Sequence, residues 1–132
     1  MKIQTMTIHV EDQAKALRFY TEVLGFKKKA DFSNGAYRWL TVGSPDAPDG
    51  PDLQLEANTD PAARAYQLAR FRQSQPAATF FVDDVQSEYD RLKGLGVTFT
   101  MPPSKVTGST IAMLDDTCGN FIKIVALDRR QT

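Results

Sequence analysis

The chain has 132 residues, and its sixteen lysines and arginines balance sixteen aspartates and glutamates. This length suits one domain with a single hydrophobic core, and the zero net charge argues against a nucleic-acid partner or an anionic membrane surface. No stretch approaches the roughly 20 apolar residues of a membrane span, and no export signal is recognisable, so we expect a protein without a membrane partner.

The first half of the chain predicts a strand, a helix and three further strands. IQTMTIHVED alternates polar and apolar residues, which predicts a half-buried strand with Met6, Ile8 and Val10 on its buried face. Asp12 is placed to cap a helix that carries apolar residues at helical spacing and ends at LGF. KKKADF and YRWLTVG then flank an Asn-Gly turn, and DLQLEAN follows a loop rich in proline, glycine and aspartate.

The second half repeats this order. AATFFVDD predicts a strand and Asp84 a helix cap, and VED at 10–12 matches VDD at 82–84. VTFT, a Pro-Pro loop, STIAML and NFIKIVAL complete the three later strands. Between the repeats, DPAARAYQLARFRQSQ predicts a connecting helix from its alanine and leucine content. The expected organisation is one domain, residues 1–132, with repeats at about 1–58 and 76–128 joined by a helix at about 60–75.

The predicted fold class is α+β, with tandem β-α-β-β-β units. Each small sheet buries one face under its own helix, and its other face has no packing partner within the unit. Two such units side by side are expected to form an open, cup-shaped mixed sheet with the helices outside. The polar side of each strand would line the cup. The candidate lining residues are Thr5, Thr7, His9, Tyr37, Trp39, Thr41, Gln54, Glu56, Ala77, Thr79, Phe81, Phe121, Lys123 and Val125.

The sequence resembles the vicinal oxygen chelate superfamily, which contains glyoxalase I, extradiol dioxygenases, fosfomycin-resistance enzymes and bleomycin-binding proteins. The resemblance rests on VEDQAKALRFYTEVLGF in the first half, on FFVDDVQSEYDRLKGLGV in the second, and on DDTCGN before the last strand. It spans nearly the whole chain. These motifs are specific for the fold and say little about the reaction.

The resemblance also implies where a metal would be bound. In metal-using members, the first and last strands of each repeat supply four ligands to a divalent ion. Counting from the motifs puts the two histidine positions at Thr5 and Ala77, and the two carboxylate positions at Glu56 and Lys123. Zinc, nickel and iron sites need three or four donors, and a cation at Lys123 would repel the ion. We therefore predict no cofactor, with a divalent metal as the disfavoured alternative.

The resemblance implies that Glu56 and Lys123 occupy equivalent places and approach each other. They either neutralise one another, or Lys123 attracts a ligand oxygen while Glu56 acts as a base. His9 is a second-rank candidate, either a proton shuttle or an ordinary hydrogen-bonded residue. Trp39 and its aromatic neighbours on the polar face would either wall a planar ligand or simply pack.

The predicted function is metal-free binding of a small organic molecule. The alternative is an enzyme: a divalent-metal lyase or dioxygenase, or a metal-free isomerase using Glu56 and Lys123. A homodimer is expected from the resemblance alone. Cys118 is the only cysteine, so it cannot form an internal disulfide, and a lone thiol favours the reducing cytoplasm. Its position in the DTCGN turn favours a structural role over a reactive one.

Overall fold

A computed structural model describes residues 1–128 of the chain. The chain divides into two compact units: unit one is Met1–Gln67, and unit two begins at Leu68. Each unit contains a four-stranded mixed sheet. The predicted α+β class and the two β-α-β-β-β units are therefore confirmed.

Unit one follows the predicted order of elements. Its sheet has the strand order β1-β4-β3-β2, in which β1 runs parallel to β4 and the other neighbours are antiparallel. The hairpin between β2 and β3 turns at residues 35–36, one position after the predicted pair. The elements are β1 (Thr5–Val10), α1 (Gln13–Arg18), β2 (Lys27–Asn34), β3 (Tyr37–Gly43) and β4 (Asp52–Ala57), followed by α2 (Pro61–Arg72).

The first helix begins at the predicted cap. Asp12 Oδ1 accepts a hydrogen bond of 3.0 Å from the backbone N–H of Lys15, which satisfies one free donor of the first turn. After α1, the chain continues directly into a five-residue π-helical turn, Phe19–Val23. Gly25 ends the segment with a φ of 92°, a conformation that a side chain disfavours. The helical stripe did not distinguish this wider turn from an ordinary α-helix.

One face of the first sheet is apolar and lies under this helix. The side chain of Gln13 donates to the backbone carbonyls of Arg38 and Leu55, at 3.0 and 2.9 Å, which ties the start of α1 to β3 and β4. Burial decreases along β1 from Val10 to Met6, which is 61% exposed, so the prediction of a buried Met6 is wrong. The core residues of the unit are Ile8, Val10, Ala16, Phe19, Tyr20, Leu40, Val42 and Leu55.

The boundary between the two units falls within the helix α2, between Gln67 and Leu68. Gln67 accepts a hydrogen bond from Asn58 at 2.9 Å and donates one to the backbone carbonyl of His9 at 3.0 Å, so the first part of α2 is attached to unit one. With 12 residues it is the longest helix described. Within residues 1–128, no helix is both long and apolar enough to cross a membrane.

Unit two has the same topology, with the strand order β5-β8-β7-β6. Asp84 caps the helix by accepting from the backbone N–H of Ser87 at 3.2 Å, and this hydrogen bond lowers the pKa of the Asp84 carboxyl. The elements are β5 (Pro76–Phe81), α3 (Val85–Gly94), β6 (Phe99–Val106), β7 (Ser109–Asp115) and β8 (Phe121–Leu127).

The predicted Pro-Pro loop is instead part of a strand. β6 continues through Pro102 and Pro103, and its pairing with β7 shifts register between Met101 and Ser104. Proline lacks an N–H donor, so it is tolerated in strands only at sheet edges and bulges. β6 is an edge strand of its sheet, which explains why the prolines interrupt the register without ending the strand.

Candidate functional site

The second face of the first sheet carries polar side chains. Alternation along each strand turns these residues away from the apolar core. Gln54 lies in the middle of the face, with Thr7 of β1 and Thr41 of β3 as its register partners on either side. Gln54 is 4% exposed and Thr41 1% exposed, so this polar face includes buried groups that need hydrogen-bond partners.

The amide of Gln54 connects several of these groups. Its Oε1 accepts a hydrogen bond from Thr7 Oγ1 at 2.7 Å. Its Nε2 donates to Glu56 Oε1 at 2.9 Å and to the hydroxyl of Tyr37 at 3.3 Å. Over residues 1–128, no buried side-chain nitrogen or oxygen lacks a hydrogen-bond partner. Gln54 therefore fixes the position of a neighbouring carboxylate and a neighbouring phenol.

Glu56 lies next to His9. The two residues are register partners on β4 and β1, and His9 Nε2 is 3.5 Å from Glu56 Oε2. The His9 and Glu56 side chains are 31% and 37% exposed, so both remain accessible to a solute. One carboxylate oxygen thus accepts from Gln54, while the other faces the imidazole. Such a group can accept a proton or bind a hydrogen-bond donor.

Two aromatic side chains accompany this polar group. Tyr37 is half exposed, and its hydroxyl accepts the hydrogen bond from Gln54. Trp39 follows on the same side of β3, is half-buried, and is the register partner of Phe32 on β2. Of the aromatic residues predicted to wall a ligand, Tyr37 and Trp39 therefore lie on the polar face of unit one, and Phe81 lies in unit two.

The corresponding face of unit two has a different character. Lys123 of β8 pairs in register with Thr79 of β5 and with Met113 of β7. Ala77 and Thr79 are exposed, and Phe81 is 66% exposed. Lys123 takes part in neither of the salt bridges formed within residues 68–128. It is a half-buried cation on a largely apolar face.

Strand register corrects one prediction about these residues. Thr7 pairs with Gln54 in unit one, and its repeat counterpart Thr79 pairs with Lys123 in unit two. Gln54, and not Glu56, is therefore equivalent to Lys123. The prediction that Glu56 and Lys123 occupy equivalent places is wrong, because it relied on a D-x-x-G-N motif that only the second repeat contains.

The same register continues to the next pair of positions. His9 pairs with Glu56 in unit one, and Phe81 pairs with Val125 in unit two. Unit one therefore has an imidazole and a carboxylate at the two positions where unit two has the apolar side chains of Phe81 and Val125. Glu56 has no carboxylate counterpart.

The side chains at the expected metal positions do not fit a divalent metal. Thr5 pairs with Asp52, four residues before Glu56, and this separation is about 13 Å at strand rise. The second histidine position is Ala77 and the second carboxylate position is Lys123. Within residues 1–128, no group of three or more histidine, cysteine, aspartate or glutamate side chains is placed to hold an ion.

The organising role of Gln54 and the polar partner of Thr41 were not predicted. Thr41 Oγ1 donates to Asp52 Oδ2 at 3.3 Å, so Asp52 belongs to the same polar face. The alternation in DLQLEA contains the signal, since it puts Asp52, Gln54 and Glu56 on one side of the strand. It gives no information about which of the three makes the connecting hydrogen bonds.

Comparison with known proteins identifies the family. Residues 2–124 match the family model described as "Glyoxalase/Bleomycin resistance protein/Dioxygenase superfamily". The chain is similar to the uncharacterized protein YurT of Bacillus subtilis (strain 168), with 54% identity over 125 residues, which cover 95% of this chain and 98% of YurT.

Solved structures agree with this match. The chain is similar to the crystal structure of UcmS2, with a TM-score of 0.82, 31% identity, and coverage of 95% of this chain and 97% of that one. It is also similar to TnmS3, "an antibiotic binding protein from Streptomyces sp. CB03234", with a TM-score of 0.77, 27% identity and 97% coverage of both chains.

Proposed function

Because the chain belongs to the glyoxalase/bleomycin resistance protein/dioxygenase superfamily, we propose that it binds a small organic molecule without the divalent metal of metal-using members. The observation that carries this proposal is the set of side chains at the expected ligand positions. Thr5 offers a hydroxyl, Ala77 a methyl and Lys123 an ammonium. Strand register makes the Gln54 amide the counterpart of Lys123, so Glu56 is the one strong donor near these positions. A single carboxylate holds a transition metal poorly.

The proposed ligand is planar or amphipathic, in keeping with the aromatic side chains beside the polar groups. In unit one, Tyr37 contacts the Gln54 amide and Trp39 follows Tyr37 on the same side of β3. In unit two, Phe81 is exposed beside Thr79. Ligand sites commonly combine apolar walls with a few placed polar groups. The similarity to TnmS3, an antibiotic binding protein, supports an antibiotic-like compound as the ligand.

Metal content tests this proposal. We expect purified protein to contain well below one zinc, nickel or iron ion per chain by elemental analysis. Incubation with a chelator should leave the melting temperature and ligand affinity unchanged, because no ion contributes to either. Addition of each metal should give no saturable heat in calorimetry. One tightly bound equivalent that is lost in Glu56→Gln would contradict the proposal.

A second function is favoured by the pairing of His9 and Glu56. A carboxylate 3.5 Å from an imidazole, with partial access to solvent, is an arrangement that can take up and return a proton. The corresponding enzyme is a metal-free isomerase. It would use Glu56 as the base and His9 as its proton partner, both within unit one.

Turnover measurements separate the enzyme from the binding protein. If the protein is an isomerase, Glu56→Gln should abolish turnover of an enolisable carbonyl compound while changing the melting temperature little, because the side chain is partly exposed. Exposed Glu22→Gln is the matched control and should keep full turnover. Absence of turnover across a panel of such compounds, together with saturable ligand binding, would leave the binding function alone.

We further propose a cytoplasmic homodimer, from the family resemblance and from Cys118, which is buried and, as the one cysteine of the sequence, cannot form an internal disulfide. A cysteine kept reduced is typical of the cytoplasm. Light scattering of the purified protein tests the dimer, and a mass equal to one chain at micromolar concentration would exclude it. Fractionation of cells that produce the protein tests the location.

A further inference from the structure

We propose that Glu56, positioned by Gln54, binds a cationic nitrogen of an aromatic ligand, so that unit one selects planar compounds carrying a protonated amine. This inference rests on the proposed small-molecule function and names the class of ligand. It assigns Glu56 a role as an ion-pairing acceptor and Gln54 a role as the positioning residue.

The first step is the fixed direction of the Gln54 amide. Glu56 Oε1 can only accept hydrogen bonds, so the group 2.9 Å away on Gln54 must be the donor Nε2. The other end of the amide, Gln54 Oε1, then accepts a hydrogen bond of 2.7 Å from Thr7 Oγ1. Because Gln54 is 4% exposed and its oxygen and nitrogen are both engaged, it has little freedom to rotate. The Glu56 carboxylate is held at one place on the face.

The second step is the local charge. Within residues 1–67, the described ion pair of Glu56 is with His9, and no lysine or arginine of this unit forms a salt bridge with it. Arg38, the arginine on β3, is held by two hydrogen bonds of 2.9 Å to Asp31. His9 is a cation only when it is protonated. A partly buried carboxylate without a permanent cation from its own unit is stabilised by a cation from a ligand.

The third step is the aromatic surface beside the carboxylate. Gln54 Nε2 donates to both the Tyr37 hydroxyl and Glu56 Oε1, so the phenol and the carboxylate are held next to the same amide nitrogen. Trp39 is two residues further along the same side of β3. Aromatic faces attract cations as well as planar rings. A ring with an attached ammonium group matches both features.

Three matched probes test the inference: 2-(aminomethyl)naphthalene, 2-naphthalenemethanol and 2-naphthoate, which differ in charge and share one ring system. Calorimetric titration of the full chain should give an affinity for the amine about tenfold or more above that for the alcohol, as expected for a charge-assisted hydrogen bond. The carboxylate should bind most weakly because Glu56 repels it. Trp39 is the only tryptophan, so quenching of its fluorescence gives a second readout.

Variants assign the selectivity to the named residues. Glu56→Gln should remove the preference for the amine, because it lowers the affinity for the amine much more than the affinity for the alcohol. Glu22→Gln, which changes an exposed carboxylate of the same unit, should retain the preference. Gln54→Met should reduce the ratio of amine to alcohol affinity. A purely structural loss would instead lower the affinities for the amine and the alcohol equally. If Gln54→Met does not fold, Glu56→Gln still tests the selectivity.

The outcomes distinguish this inference from the function on which it rests. Equal affinities for the amine and the alcohol, or tightest binding of the carboxylate, would overturn the selectivity while leaving small-molecule binding in place. Failure of all three probes to bind would also overturn it. The metal analysis and the turnover measurements would then still test the proposed function.

Discussion

Replacing Asp116 with alanine is expected to lower the free energy of unfolding by about 3 kcal/mol, since three buried donors lose their acceptor. Asp116 is fully buried in the turn before β8. Its Oδ1 accepts from the backbone N–H groups of Cys118 and Asn120, at 2.7 and 3.0 Å, and its Oδ2 accepts from Asn120 Nδ2 at 2.9 Å. Alanine would leave these donors buried without a partner.

Urea unfolding of the variant measures this loss. The neighbouring Asp115→Ala is the matched control, because Asp115 is only half-buried and its carboxylate accepts from the backbone of Thr117. Its expected cost is about 1 kcal/mol or less. Cys118, fully buried in the native turn, should react faster with a thiol reagent in the Asp116 variant. Equal stability of the two variants would show that the turn does not depend on Asp116.

Tyr20→Ala is expected to cost about 3–5 kcal/mol of unfolding free energy, as for other large-to-small changes in a core. Tyr20 is fully buried within the π-helical turn. Its ring contacts Phe19 edge-on, with centroids 5.6 Å apart, and stacks on Phe26 at 6.5 Å. Removing the ring leaves a cavity against the apolar side of the first sheet, which the short helix cannot close without moving.

The control for this substitution is Tyr66→Ala on α2, where the side chain is 67% exposed. Surface substitutions of this kind change stability by about 0.5 kcal/mol or less. Chemical denaturation followed by circular dichroism compares the two variants. If Tyr20→Ala unfolds within 1 kcal/mol of the unchanged protein, the π-helical turn does not contribute to the core as its burial indicates.

Features that depend on neighbouring residues were predicted well from the sequence. The Asp12 and Asp84 caps and the alternating strands were recognised, and each is encoded within about ten residues. The internal repeat was recognised because these short patterns recur in the same order in the second half. Local hydrogen bonds and periodicity do not require knowledge of the rest of the chain.

Features that depend on strand pairing were predicted less well. The equivalence of Gln54 and Lys123 is set by register between strands far apart in sequence, and counting from a motif cannot reveal it. The neighbourhood of His9 and Glu56 follows from the same register. Both residues were candidates, but their proximity was not predicted, because it depends on the pairing of β1 with β4.

The two prolines of β6 also affect how the molecule meets its neighbours in concentrated solution. Pro102 and Pro103 remove two consecutive N–H donors from an edge strand, at the place where its register with β7 shifts. A strand from another molecule cannot form an uninterrupted ladder along this rim. The pair that interrupts the register therefore also protects the edge from strand addition, a common first step of aggregation.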